Sequence, residues 1–340
     1  MRITFLVLTL LLNTAFITAQ ETRKIDSTFR ISYVDKLIIK ANLDTRTNSY
    51  IINYSDANSD FTISTNTNLR MFLSLDYEFI GASIGFAPSF FTDNKDDDIK
   101  GKSSYTDFQF RFFLGQWVQG LHYSEVEGFY VENTGDFVPG WMEGEDPYIQ
   151  FPNLKRSSYG MTTSYVFNKR FSYRNITYQT EWQKKSAGSF VPTLHYNFNR
   201  LSFSTEDLSS TEDFYNIRLS LAYYYTFVIN EHWFIAPFIS PSLGIRFSHS
   251  ESTDNGITTS SNDTYFMQNL DGGLQLGYSS KRVIFGLNAN SHVFWHQEDH
   301  VTAVTENSFY GLVYFGYRFD APRFVKNTFD WFYDTFKIPR

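Results

Sequence analysis

The 340-residue sequence contains no cysteine, which excludes disulfides, thiolate metal sites and a lipidated cysteine anchor. Past the N-terminus it has no apolar run of about 18 residues, so no helix is expected to cross a membrane. It lacks a basic excess: 29 Lys and Arg stand against 36 Asp and Glu, a net charge of −7, which argues against a nucleic-acid partner. No phosphate-cradling glycine loop, zinc-protease motif or dinucleotide fingerprint is found. What abounds is aromatic: 36 Phe and 23 Tyr in a chain whose mean hydropathy is only −0.31. A barrel reconciles the two, because its polar lumen and loops dilute its lipid face.

The clearest pattern lies between Asp213 and Ser250. Tyr215, Ile217, Leu219, Leu221, Tyr223, Tyr225 and Phe227 alternate with Asn216, Arg218, Ser220, Ala222, Tyr224 and Thr226. After a turn at Asn230 and Glu231 the alternation resumes, with Trp233, Ile235, Ile239, Leu243, Ile245 and Phe247 set against Ser240, Ser242, Gly244, Arg246 and Ser248. A two-residue period separates two faces only in a strand. Long strands greasy on one side and polar on the other predict an all-β fold, a closed antiparallel transmembrane β-barrel.

Arg2, the apolar stretch Ile3 to Leu12 and Ala19 before Gln20 have the layout of a signal peptide. The expected organisation is a cleaved signal peptide over 1–19, a periplasmic lead over 20–35, an outer-membrane barrel over 36–319 and a periplasmic tail over 320–340. Strand crossings imply a Gram-negative outer membrane, since inner-membrane spans are helical. In the tail, Phe324, Val325, Phe329, Phe332 and Phe336 sit at helical spacing and predict a short amphipathic helix.

Strand number rests on parity. Leu194, Tyr196 and Phe198 share a face, whereas Leu201 and Phe203 are out of phase with them, which requires a bulge or a turn at Asn199 and Arg200. With the turn, and with Ile176 to Trp182 as a strand climbing to an outer turn at Lys184 to Gly188, about fourteen strands result, twelve being the alternative. Short turns then fall on the periplasmic side and long loops outside. Those loops are Thr45 to Asn68, Thr92 to Lys102, Glu132 to Lys155, Glu251 to Asn262 and Gln297 to Thr305.

Charged residues recur on the inferred lumen face: Arg70, Asp76, Glu78, Asp107, Arg111, Glu181, Arg218, Arg246, Asp271, Arg282 and Arg318. Because both signs are mixed, a network of ion pairs filling part of the lumen is expected; a selective pore would more readily show a ring of one sign. His122 and Ser124 stand two apart and share a face, a spacing reminiscent of the His-x-Ser pair of outer-membrane phospholipases. Leu121 and Tyr123 hold the lipid face, however, which turns the pair inward, away from an acyl chain, and favours plain polar lumen residues. Lys184, Lys185 and Ser186, ending in Gly188, read as a solvated connection able to contact lipopolysaccharide phosphates.

Asp93, Asp96, Asp97 and Asp98 lack the spaced ligands of a calcium loop. His292 and His296 lie about 13 Å apart along a strand, which leaves only His296, Glu298 and His300 to converge on a metal. Neither a metal nor a cofactor is expected. The expected partners are outer-membrane lipid and lipopolysaccharide, and the barrel assembly machinery, which the aromatic end of the last strand, Phe309 to Phe319, suits. No sequence feature points to a particular small-molecule ligand.

Four segments carry a family resemblance: the hairpin Leu69 to Phe90, Asp96 to Phe110 (DDDIKGKSSYTDFQF), Glu127 to Asn133 (EGFYVEN) and Glu181 to Phe190 (EWQKKSAGSF). Together they resemble a Bacteroidota family of outer-membrane barrels, domain of unknown function 4421, over nearly the whole mature chain. The resemblance implies fold and location but no activity, and so brings no functional residues with it. The expected role is structural, binding or small-solute passage, not enzymatic. The alternatives are a lipid acyl hydrolase or deacylase using His122 and Ser124, and an open diffusion porin.

Overall fold

A computed structural model describes residues 27–45, 49–52, 61–91, 94–296, 304–305 and 308–336. The expected signal peptide lies outside them, as do Asp93, Glu298 and His300. The described strands are β1 (Arg30–Ser32), β2 (Lys36–Asp44), β3 (Ser49–Ile52), β4 (Phe61–Ser64), β5 (Arg70–Tyr77), β6 (Ile80–Phe86), β7 (Ser104–Leu114), β8 (Trp117–Val131), β9 (Gln150–Tyr165), β10 (Glu181–Gln183), β11 (Ala187–Ser204), β12 (Leu208–Ile229), β13 (Trp233–Asp254), β14 (Ile257–Ser279), β15 (Val283–His296), β16 (Val304–Thr305) and β17 (Ser308–Asp320). Twelve of them close an antiparallel ring, in the order β2, β5, β6, β7, β8, β9, β11, β12, β13, β14, β15, β17 and back to β2. β3, β4 and β16 extend β8 beyond the ring, and β1 pairs with β10 as a separate ribbon.

Side chains alternate as the period requires. Ile39, Leu75, Phe110, Leu219, Leu221, Leu243, Leu287 and Phe315 are exposed on the outer surface, while Lys40, Asp76, Arg111, Ser220 and Ser242 are buried. Apolar surface gains about 25 cal/mol per Å² on leaving water, so a ring with its oily side chains turned outward calls for hydrocarbon around it. Aromatic pairs mark both margins of that belt. Trp117 with Tyr165, Phe167 with Phe190, and Trp233 with Tyr278 and Phe285 lie at one; Phe108, Tyr123, Tyr159, Phe198 and Tyr215 form a chain at the other. On β12 the distance from Tyr215 to Phe227, at about 3.3 Å per residue and a tilt of about 40°, is a rise of about 30 Å, close to a bilayer's apolar thickness.

The ring has twelve members, not about fourteen, for two physical reasons. β11 runs unbroken through Asn199 and Arg200, paired with β12 as far as Ser204 opposite Ser209, so neither turn nor bulge exists there. Leu201 and Phe203 simply occupy the inward face above the belt, against an apolar cluster of Ile63, Phe72, Tyr105, Val126, Phe129, Val131 and Leu154. The parity argument assumes that an apolar side chain must meet lipid, and at the outer mouth these two meet protein instead.

The second reason is that Ile176 to Trp182 does not cross the membrane. Ser172 caps a short helix, Tyr173–Thr177, by accepting from the Asn175 N–H at 3.0 Å, and β10 follows. Lys184 consequently lies beside Glu231, at 3.7 Å, and Ser186 Oγ accepts from the Val228 N–H at 3.0 Å. The Lys184 to Gly188 connection therefore sits at the rim of the short turns, opposite the long loops. Two loops are also shorter than expected. β13 and β14 continue to a two-residue turn at Asn255 and Gly256, both with positive φ, as hairpin turns of that length favour; β9 begins at Gln150, within the span expected to be loop. The tail forms the helix Arg323–Phe336, whose Phe329, Phe332 and Tyr333 stack on Tyr77 and Phe79 near the turn between β5 and β6.

Candidate functional site

Between β9 and β11 the chain turns into the lumen, and strands on opposite sides of the ring hold it there. Lys40 on β2 donates to the Tyr178 carbonyl at 2.6 Å and to Gln179 Oε1 at 3.0 Å. Arg318 on β17 donates to the Gln179 carbonyl at 2.7 Å and to the Ser280 carbonyl, and lies 4.4 Å from the centre of the Tyr33 ring. Tyr224 on β12 and Phe234 on β13 pack against Phe171 and Ile176. The insert also satisfies itself: Arg30 donates to Glu181 at 2.8 Å, Ser172 Oγ to the same carboxylate at 2.6 Å, and Gln183 Nε2 to the carbonyls of Phe29, Arg170 and Lys185. Buried backbone outside a ladder must find such partners. Burial raises the Tyr33 hydroxyl above its ordinary pKa, with the Arg318 charge opposing the shift.

Directly against the insert, Arg111 clamps Asp76 through two bonds of 2.9 and 3.0 Å, and Lys40 stands 3.5 Å from the same carboxylate. All three are at least 95% buried, a setting in which a charge is tolerated only with partners. Gly81 on β6 makes the room: a Cβ there would lie 2.1 Å from Asp76 Oδ1 and 2.4 Å from Arg111 Nε. Arg70 pairs with Asp44 at 3.0 Å on the same side.

Among the described residues, two adjoining cavities lie in the lumen. One, of about 230 Å³, touches the insert and is lined in part by Lys40, Asp44, Arg70, Arg111 and Tyr178. The other, of about 350 Å³, includes Arg70, Asp107, His122, Ser124, Arg156, Arg218, Arg246 and His292 in its lining; the two share Arg70, Tyr105, Asp107 and Gln109. Register builds the larger one. Gln109, His122, Gly160, Asn197, Asn216 and Arg246 stand opposite one another in turn, an inward rung across six adjacent strands. The His122 ring lies against Gly160, where any Cβ would come within 2.1 Å of it.

Arg156 donates to Asn199 Oδ1 at 3.1 Å and Arg246 to Asn216 Oδ1 at 3.0 Å. Arg218 donates to Ser242 Oγ at 3.0 Å and to Asp271 at 3.3 Å, and Asp271 also contacts His292 Nδ1.

Of the charges assigned to the lumen from sequence, Arg70, Asp76, Asp107, Arg111, Arg218, Arg246, Asp271 and Arg318 face it from the wall, and Glu181 enters it on the insert. Two do not face it. Glu78 lies in the turn after β5, with φ of 51°, and accepts from the Tyr333 hydroxyl at 3.1 Å; Arg282 is exposed in the turn before β15. Alternation ends where a strand ends, so neither position had a face to inherit. His122 and Ser124 both reach the larger cavity, but the hydroxyl near His122 Nε2 is that of Ser158, at 3.4 Å. Asp96 pairs with Lys100 at 3.0 Å, and Asp97 accepts from Asn66.

The sequence reading missed Lys40, Asp44, His195 and Arg30. Lys40 and Asp44 sit on the polar face of β2, where the same alternation marks them. His195, which meets Ser220 Oγ at 3.0 Å, is inward by the phase of β11. Arg30 precedes the first barrel strand and follows no period.

No curated protein matches the chain. Solved structures resemble it at low identity. The β domain of the Bordetella autotransporter Brka does so at 10% identity and a TM-score of 0.43, over 84% of this chain and 99% of that one. For an outer membrane channel from Pseudomonas putida F1 the values are 12%, 0.41, 88% and 100%; for the translocator domain of autotransporter NalP from Neisseria meningitidis they are 7%, 0.35, 94% and 97%. Such likeness concerns architecture alone. The segment Asp96 to Phe110 runs from the loop before β7 into that strand, Glu127 to Asn133 ends β8, and Glu181 to Phe190 runs from the lumen ribbon into β11. These segments fall within residues 24–319, which match the family described as a domain of unknown function, DUF4421, and the chain belongs to that family.

Proposed function

We propose that the protein is an outer-membrane barrel, exported by its N-terminal segment, that holds a small solute in a lumen closed on the periplasmic side by its own chain. One observation carries this reading: the segment from Phe171 to Gln183 is bound in the lumen by Lys40, Arg111 and Arg318 on one side of the ring and packs against Tyr224 and Phe234 on the other. An open diffusion porin needs a continuous water path, and the insert stands in it. Short turns and chain termini mark the periplasmic side in barrels of this kind, so the larger cavity opens away from the insert toward the outer mouth. The apolar belt and its two aromatic margins support the membrane assignment. A lipid hydrolase finds no comparable support, because His122 and Ser124 face the lumen and not the acyl chains.

The test is single-channel current through the full-length protein in planar bilayers. Wild type is expected to pass no steady current, and the double variant Lys40→Ala/Arg318→Ala to show frequent openings as the insert loses its anchors. A steady open current in wild type would rule out closure.

A further inference from the structure

We infer that the tail helix, Arg323–Phe336, gives the protein a second lipid contact outside the barrel wall: Phe324 and Trp331 insert among phospholipid headgroups beside the rim of short turns. Position is the first argument. β17 leaves the apolar belt at Phe319, an exposed outward-facing side chain, and the helix begins four residues later. Further along, the helix meets the outer face of the wall. Leu73 and Leu75 on β5 point outward and are 41% and 49% exposed, whereas Tyr77, which shares their phase, is only 8% exposed, with the Phe329 ring packed edge to face against it at 4.8 Å. The helix therefore follows the rim from β17 to β5, at the margin where headgroups meet a barrel wall.

Facing is the second argument. Phe329, Phe332 and Tyr333 pack on Phe79, and the Tyr333 hydroxyl donates to Glu78 at 3.1 Å, so one flank of the helix is taken up by the barrel. At about 100° per residue, Phe324 and Trp331 fall within about 20° of each other and roughly opposite Tyr333. They are 73% and 62% exposed. Asn327, Asp330 and Asp334, all exposed, form a polar side roughly opposite Phe332. With the Tyr333 flank on the barrel and the polar side in water, Phe324 and Trp331 point away from the barrel axis, toward the surrounding lipid.

The third argument is the chemistry of the occupant. Tryptophan is favoured at the headgroup level of a bilayer, where its ring is apolar and its N–H stays wet. Arg323 and Lys326, both exposed in the first turn, are cations of the kind that interfacial helices present to a membrane surface. A second copy of the chain fits less well. Two aromatic side chains bury about 150–250 Å² each, well short of the roughly 1,200 Å² of a specific protein interface, whereas for a helix already held by the barrel two such side chains suffice to touch lipid.

Because the chain has no cysteine, a single one introduced by mutation is a unique labelling site. Full-length Trp331→Cys and Asn327→Cys, each carrying an environment-sensitive nitrobenzoxadiazole dye, are folded into vesicles of phosphatidylethanolamine and phosphatidylglycerol, and heat-modifiable migration in gels verifies that each is a folded barrel. Lipid bearing a nitroxide near the headgroup is expected to quench the dye at position 331 at least about threefold more strongly than the dye at 327, because an interfacial helix buries its apolar side about 5–10 Å deep. Iodide, present on both sides of the membrane, is expected to show the reverse order. Phe324→Cys lies on the same flank and should behave as Trp331→Cys does, so a misfolded variant at one position leaves the other to decide. Equal iodide quenching at 331 and 327 overturns the contact. So does a dye at 331 shielded from both quenchers, the mark of a protein partner or a second copy. Neither quencher reads the lumen, so a steady open current in wild type would end the closure proposed above and leave the lipid contact standing.

Discussion

The barrel has two unequal sides. β12, β13 and β14 run for 22, 22 and 23 residues, whereas β2, β5 and β6 run for 9, 8 and 7. At about 3.3 Å per residue and a tilt of about 40°, β6 rises only about 15 Å, half the height of the lipid belt on β12. The short side is completed by folded chain whose side chains stand in for the missing ladder. Asn94 accepts from the Leu69 N–H at 3.1 Å and donates to the Leu69 carbonyl at 2.8 Å; Ser103 Oγ accepts from the Asn66 N–H at 2.8 Å. Thr65, Asn66 and Thr67 are buried in the process.

Inside, the contrast takes another form. The short side holds its ions in close pairs beside the insert, Asp44 with Arg70 and Asp76 with Arg111 and Lys40. The tall side faces the larger cavity with amides, serines and arginines. Strand length thus follows what lies above the belt, and lumen charge follows what the wall touches within it.

The largest expected difference between the sides comes from removing one arginine on each. Arg111→Ala leaves Asp76, 1% exposed, without its two-bond partner and with Lys40 at 3.5 Å, and breaking a buried pair in this way costs about 3–5 kcal/mol. Arg218→Ala leaves Asp271 still in contact with His292, beside a cavity that can admit water, for a loss of about 1–2 kcal/mol. Urea unfolding of the two variants in lipid vesicles measures both. Equal losses would mean that the short side is no more tightly paired than the tall one.

Next in size is a test of how much of the tall side is immersed. Leu219 and Ile257 are both exposed on it, at 46% and 71%, but only Leu219 lies between the aromatic margins. Leu219→Arg is expected to cost about 2–4 kcal/mol and Ile257→Arg less than about 1 kcal/mol, the depth dependence found for charges on a barrel's lipid face. The same unfolding measurement decides it. A large penalty at Ile257 would place the upper hairpins in lipid and make the short side, not the tall one, the exception.

These contrasts explain what could be read from sequence. The facing of Leu219, Arg218 and Arg246 follows from a two-residue period, a local property of the chain. Closure and the apolar belt follow from the same period. Ring size does not, because Ile176, Tyr178, Thr180 and Trp182 alternate as a strand would, and only contacts distant in sequence hold them inside. The Lys40 bond to the Tyr178 carbonyl spans 138 positions. Pairing of the lumen charges is hidden for a related reason: alternation says that Asp76 and Arg111 point inward, but only the register of β5, β6 and β7 brings them together across Gly81.

Gly81 offers the finest comparison. On the short side, Gly81→Ala would set a methyl group 2.1 Å from Asp76 Oδ1 and 2.4 Å from Arg111 Nε, so the pair must leave the wall and press on the insert. Overpacking of that kind costs about 1–3 kcal/mol. On the tall side, a Cβ at Gly272 would meet nothing nearer than the Phe238 carbonyl at 3.6 Å, and Gly272→Ala should change stability by less than about 0.5 kcal/mol. Because the displaced pair lies against Tyr178, Gly81→Ala should also raise the frequency of channel openings in planar bilayers, while Gly272→Ala leaves the barrel silent. A harmless Gly81→Ala would show that Asp76 and Arg111 can part from the wall freely, and the ion pairs of the short side would then be no anchor for the insert.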